Sequence, residues 1–203
     1  MNSPGDEKAG AAVTLGLLAA WALHDAEELA TVPGWWRRNL PALRERFPTV
    51  PEAVWRRAEP ADGREFAVAV GVMAAVVASA SAAGRLTGGR SAAYQTALNA
   101  FGLHGLVHLA QAGLVRGYTP GSATSPLVVV PFTLWARHRL RRAGALRATR
   151  PRDLAVGFGL AGAAVAGSHM VARRLTGATV PARSRYRASV PAEGALINFG
   201  RGR

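Results

Sequence analysis

The chain has no cysteine. Disulfides, thiolate-bound metals and thiol nucleophiles are therefore excluded, and any metal has to bind through histidine and carboxylate. Acidic residues are scarce, 12 against 25 Lys and Arg, and aromatics make up only 7% of the 203 residues. The net charge of +13 raises the question of nucleic acid. The basic residues, however, have no aromatic stacking platform between them and no zinc-knuckle spacing, so no nucleic-acid partner is expected. No internal repeat is present. A secretory leader is not expected either: Asp6, Glu7 and Lys8 stand where a basic n-region belongs, and the first apolar run leads into a polar motif instead of a small-residue cleavage site.

The long apolar stretches themselves are nearly free of charge. The chain is 49% hydrophobic with a mean hydropathy of +0.10, and its Lys and Arg concentrate in residues 37–64, 137–152 and 173–203, between or beside those stretches. A bilayer imposes that segregation. The reading is an all-α, polytopic transmembrane helix bundle of about five spans, multi-pass in the inner (cytoplasmic) membrane of the cell. Residues 1–175 form the single transmembrane helical domain, and residues 176–203 form a basic, mobile tail. The basic connections suit anionic lipid. The Ala/Arg/Gly-rich composition points to a GC-rich bacterial genome.

The first span is expected over Ala11 to Val32, ended by Pro33-Gly34. Trp35, Trp36, Arg37 and Arg38 then suit the headgroup level. Thr49 and Glu52 have capping-box spacing and open a short surface helix carrying Trp55, and Asp62 caps the next span. That span, Phe66 to Ala83, is rich in small residues and is expected to be buried against neighbours. A third span, Ala92 to Val115, contains Asn99, His104, His108 and Gln111, too polar for lipid. A fourth, Ser122 to Ala136, is only about 22 Å long as a helix, so it leans on snorkelling Arg137 and Arg139. The fifth, Leu154 to Ala172, is glycine-rich and carries His169.

Chemistry concentrates in His24-Asp25-Ala26-Glu27-Glu28. Ionisable groups inside an apolar span cost about 2.5–3.5 kcal/mol each or more, so they have to be paired, protonated or bound to a cation. At ~100° per residue, His24, Glu27 and Glu28 share one stripe at about 0°, −60° and +40°, with Asp25 toward its edge. On the third span His104 and His108 are one turn apart, a bidentate metal-binding unit, and Gln111 follows on the same stripe. The expected ligands are His24, Glu28, His104 and His108 around a divalent metal, with Zn, Fe or Mn favoured over Mg or Ca by the imidazoles. Glu27 is the expected free base, and the Tyr118 hydroxyl is expected to cap the mouth of the polar centre. Asn99 points away from the centre and serves helix packing or an outer contact. His138 and His169, near span ends, are expected to hydrogen-bond a neighbouring helix.

His24-x-x-Glu27-Glu28 near the N-terminus, a later histidine-bearing helix and Tyr118-x-Pro120-Gly121 together resemble the HXXEE family of small bacterial integral membrane proteins, over about residues 11–136. The resemblance implies a membrane location and an enzymatic site, without a substrate. Three functions stay open: a membrane metal-dependent hydrolase or non-haem oxidoreductase acting on a lipophilic substrate, a carrier of protons or metal ions, and a non-catalytic scaffold.

Overall fold

A computed structural model describes residues 10–58, 63–148 and 151–177, and all regular structure among them is helical. In chain order the elements are α1 (Ala11–Thr14), α2 (Gly16–Arg46), α3 (Glu52–Ala58), α4 (Gly63–Leu86), α5 (Ala92–Val115), a π-turn (Ser125–Val129) running straight into α6 (Val130–Arg142), and α7 (Pro151–Thr176). The expected Asp62 cap and almost all of the basic tail lie outside the described residues.

Helix α2 does not stop at Pro33-Gly34 but continues through Pro33 and Pro41 to Arg46. A proline inside a helix removes one backbone hydrogen bond, and here tertiary contacts offset the loss. Trp35 is buried and its Nε1 donates to the Tyr118 carbonyl at 2.8 Å; within the helix itself, Asn39 Nδ2 donates to the Trp35 carbonyl at 2.9 Å. Near the end of the same helix, Arg46 caps α5 by donating to the carbonyls of Val115 (2.8 Å) and Leu114 (3.0 Å). The short helix carrying Trp55 is present as α3, but Glu52 pairs with Arg44 at 2.7 Å.

Helix α5 has the bounds expected from sequence. Ser91 Oγ caps it by accepting from Tyr94 N, and Arg116 closes it in the left-handed conformation. Its apolar stripe of Tyr94, Leu98 and Phe101 meets Val13, Leu17 and Trp21 of α1 and α2, and Val129, Ala136 and Leu140 of the π-turn and α6. Two buried polar groups tie this core together. Tyr94 Oη donates to the Val13 carbonyl (2.5 Å) beside the break between α1 and α2. Gln95 Nε2 donates to the carbonyls of Gly89 (2.7 Å) and Ala145 (2.8 Å) and its Oε1 accepts from Arg147 N (2.9 Å), so one side chain pins two loops.

Helix α4 packs on α7, α2 and α5. Among the described residues two helices are long and apolar enough to cross a membrane: α4, with hydropathy 2.1, and Ala155–Thr176 of α7, with hydropathy 1.5. The expected burial of α4 is only partly met: 17% of its apolar window is fully buried, along a narrow stripe of Ala69, Ala80, Ser81 and Gly84, with Val70, Met73 and Val77 partly buried against the core and Val76 exposed. The helical run after Ser122 is longer than expected, because it passes Ala136 and reaches Arg142.

Candidate metal centre

Helix α2 presents His24 and Glu28 from successive turns of one face with Asp25 beside them, and α5 presents His104 and His108 one turn apart. Ligand atoms of His24, Glu28, His104 and His108 all lie within 4.8 Å of one another. His104 Nε2 is 2.9 Å from His108 Nε2, which is 3.2 Å from Glu28 Oε1. Bonds of about 2.0–2.1 Å to a tetrahedral ion set neighbouring ligand atoms about 3.3 Å apart, so this spacing suits a shared cation. The three imidazoles meet edge to face, with centroids 4.3–5.1 Å apart. His24 is fully buried, and its Nε2 has no hydrogen-bond partner. A buried imidazole nitrogen without a partner is costly unless a cation or proton meets it. The donor set therefore fits a divalent metal, and its three imidazoles favour Zn, Fe or Mn over Mg or Ca.

Close approach of the second wall depends on glycine. In α5, a Cβ at Gly102 would lie 2.7 Å from Thr133 and one at Gly105 2.7 Å from Val129, so these two positions let the π-turn and α6 lie directly against the histidine helix. Tyr118-Thr119-Pro120-Gly121 forms the expected turn. Ser122 N donates to the Thr119 carbonyl at 3.0 Å and Gly121 has φ +79°, as a type II turn requires. A Cβ at Gly121 would sit 2.7 Å from the His108 ring, so the turn lies flat on that imidazole.

Glu27 is not free. Its Oε1 accepts from Tyr118 Oη (2.8 Å) and Ala123 N (3.3 Å), and its Oε2 from Thr124 N (2.8 Å) and Thr124 Oγ1 (2.6 Å). Four donors occupy the lone-pair sites of a carboxylate, so the geometry opposes the free-base role expected for Glu27. Tyr118 closes on Glu27 instead of on the metal-ligand atoms. Its hydroxyl is held above the ordinary phenol range, chiefly by burial and also by the neighbouring Glu27 carboxylate. Thr124 was not legible as a site residue, yet its Oγ1 is 2.7 Å from His24 Nδ1.

A cavity of 2010 Å³ opens beside the centre. Asp25, Glu28, His104, His108 and Gln111 line one part of it, and Ala, Val, Leu and aromatic side chains of α2, α4, α5 and α7 line most of the rest. His104 presents its ring to this space, and Asp25, expected at the stripe's edge, is 8% exposed and faces it as well. Asn99 lies elsewhere, accepting a hydrogen bond from Arg137 and so serving the α5–α6 contact. His169 Nδ1 is 3.5 Å from buried Glu65, which also accepts from Arg173 Nε at 2.8 Å, linking α4 to α7. His138 is exposed.

Fold and site together define an all-helical protein with a His/Glu group able to hold a metal ion. The chain belongs to the family described as "Protein of unknown function with HXXEE motif", whose model matches residues 15–136, more than half of its length. His24-Asp25-Ala26-Glu27-Glu28 supplies that motif. No curated protein and no solved structure matches the chain.

Proposed function

We propose that the protein is a multi-pass enzyme of the inner membrane in which His24, Glu28, His104 and His108 hold a divalent metal beside a lipophilic substrate. The observation that carries this reading is the convergence of four donors from two helices, with a partnerless buried nitrogen on His24, at the wall of an apolar cavity. Its volume exceeds the roughly 300–1,000 Å³ that holds a drug-sized molecule, which suits a long acyl chain. When bound, zinc would supply a Lewis acid and a water made acidic near neutral pH, whereas iron would open oxidation or desaturation.

For hydrolysis of an ester or amide, the oxygen of water joins the acyl carbon, the bond to the leaving group breaks, and that group takes up a proton. Asp25 faces the cavity without the four donors that occupy Glu27, so it is the carboxylate suited to carry that proton. Val70, Met73 and Val77, which line the same cavity and are partly buried against the core, exclude water and hold the chain of the substrate.

Membrane insertion is supported by how outward-facing the apolar helices are. The spanning windows of α4 and α7 are only 17% and 12% buried, whereas the core helix of a soluble protein would be mostly covered. Leu86, Leu127, Leu134 and Leu175 also project outward, and such a surface matches acyl chains, with anionic lipid at the arginine-rich ends. A proton or metal-ion carrier is the second reading, favoured by the Glu65–His169–Arg173 cluster, which lines the same cavity.

The test is elemental analysis of detergent-purified protein, prepared without chelators, beside His24→Ala and His104→Ala. Near-stoichiometric Zn, Fe or Mn in the wild type, lost in both variants, is expected. A wild type without metal would sink the metalloenzyme.

A further inference from the structure

The first glutamate of the motif has a different task from the second. Thr124 Oγ1 carries one hydrogen and two lone pairs. Its hydrogen goes to Glu27 Oε2, 2.6 Å away, because the same oxygen also accepts from Thr124 N and serves as an acceptor there. The remaining contact of Thr124 Oγ1, at 2.7 Å to His24 Nδ1, can then only be Nδ1–H donating to the hydroxyl oxygen. With its proton on Nδ1, neutral His24 has a bare lone pair on Nε2, the buried atom that lacks a partner.

We propose that Glu27 and Thr124 are positioning residues that fix the tautomer and orientation of His24, so that Nε2 faces the other ligand atoms as a ready donor. Metal-binding imidazoles are commonly oriented through their second nitrogen in this way. Here the orienting group comes from the segment joining α5 to the π-turn, and Glu27 holds that segment through Tyr118 and the backbone of Ala123 and Thr124. The consequence for metal affinity rests on the metal-centre reading. The tautomer itself does not, and it exists in metal-free protein.

The experiment is nitrogen-15 NMR of histidine-labelled, metal-free protein in detergent, with zinc affinity measured alongside. His24 is expected to show a protonated Nδ1 and a bare Nε2 in the wild type and in Thr124→Ser. Thr124→Val removes the hydroxyl at nearly constant shape, and Glu27→Ala frees that hydroxyl to donate to Nδ1. Both are expected to shift His24 toward the Nε2–H form and to weaken zinc binding by about 10–100-fold, with Thr124→Ser restoring wild-type affinity. A wild-type His24 carrying its proton on Nε2, or a tautomer unchanged in Thr124→Val and Glu27→Ala, overturns the proposal. A wild type that holds Nδ1–H yet takes up no zinc overturns the metal centre while the orienting role of Glu27 and Thr124 stands.

Discussion

The two sides of this molecule use the same small and apolar residues to opposite ends. Around the centre, α2, α5 and the Tyr118–Thr124 segment are pressed together until a missing Cβ decides the geometry: Gly102, Gly105 and Gly121 each face a side chain less than 3 Å from where a Cβ would lie. On α4 and α7, Gly71, Gly159, Gly162 and Gly167 face open space and most of the apolar surface is uncovered, although at Gly84, near the end of α4, a Cβ would lie 2.5 Å from the Tyr94 ring. Polar groups divide the same way. Around the centre Glu27, Thr124 and His24 Nδ1 are engaged by named partners while His24 Nε2 and His108 Nδ1 are left open, whereas α4 and α7 are linked by the buried carboxylate of Glu65 with His169 and Arg173. A glycine-rich helix can therefore be built to approach protein closely or to leave its face uncovered, and composition alone does not separate the two uses.

The largest effect that would test this division is chemical. Asp25→Asn leaves the four ligand residues untouched but removes the carboxylate that faces the cavity. Hydrolysis of a long-chain p-nitrophenyl ester is expected to fall by about 10²–10⁴-fold with metal content unchanged. Equal rates in the two proteins would take Asp25 out of the chemistry. Next in size is Gly121→Ala. It forces an alanine into a left-handed backbone and drives its Cβ into the His108 ring, and should cost about 2–4 kcal/mol in thermal unfolding together with a loss of bound metal. Unchanged stability would mean that the turn does not rest on His108.

Smaller again is Tyr94→Phe, which keeps the ring and removes only the hydrogen bond to the Val13 carbonyl. About 1–2 kcal/mol of unfolding free energy should go with it. A melting curve superimposable on the wild type would show that α1 does not depend on this anchor.

What could be read beforehand follows from the range of the interactions involved. The bounds of α5 and the His104/His108 pair depend on local spacing along one helix, and so does the stripe of His24, Glu27 and Glu28. All of these were legible in the sequence. That α2 passes through Pro33 was not, because the contacts that offset the missing hydrogen bond, such as Trp35 to Tyr118, come from 83 residues away. Thr124 escaped for the same reason: it lies 100 residues from His24 and carries no motif of its own. The occupied state of Glu27 was hidden too, since a wheel projection places Glu27 on the inward stripe without saying which donors meet it. The type II turn at Pro120-Gly121 was legible as a turn, but its position over His108 required the fold.

The smallest effect is also the one that most directly contrasts the two regions. Gly71→Ala makes the same chemical change as Gly121→Ala, but within α4, where a Cβ meets nothing within 4 Å. Alanine restricts the unfolded chain and favours the helix, so the substitution should raise stability by about 0.5–1 kcal/mol, measured as a higher melting temperature in the same detergent. The opposite signs at positions 71 and 121 would then follow from surroundings alone. A loss of stability at Gly71 would mean that this face of α4 packs closely against a second copy of the chain or another protein, and that the uncovered side of the bundle is an interface instead of a lipid-facing wall.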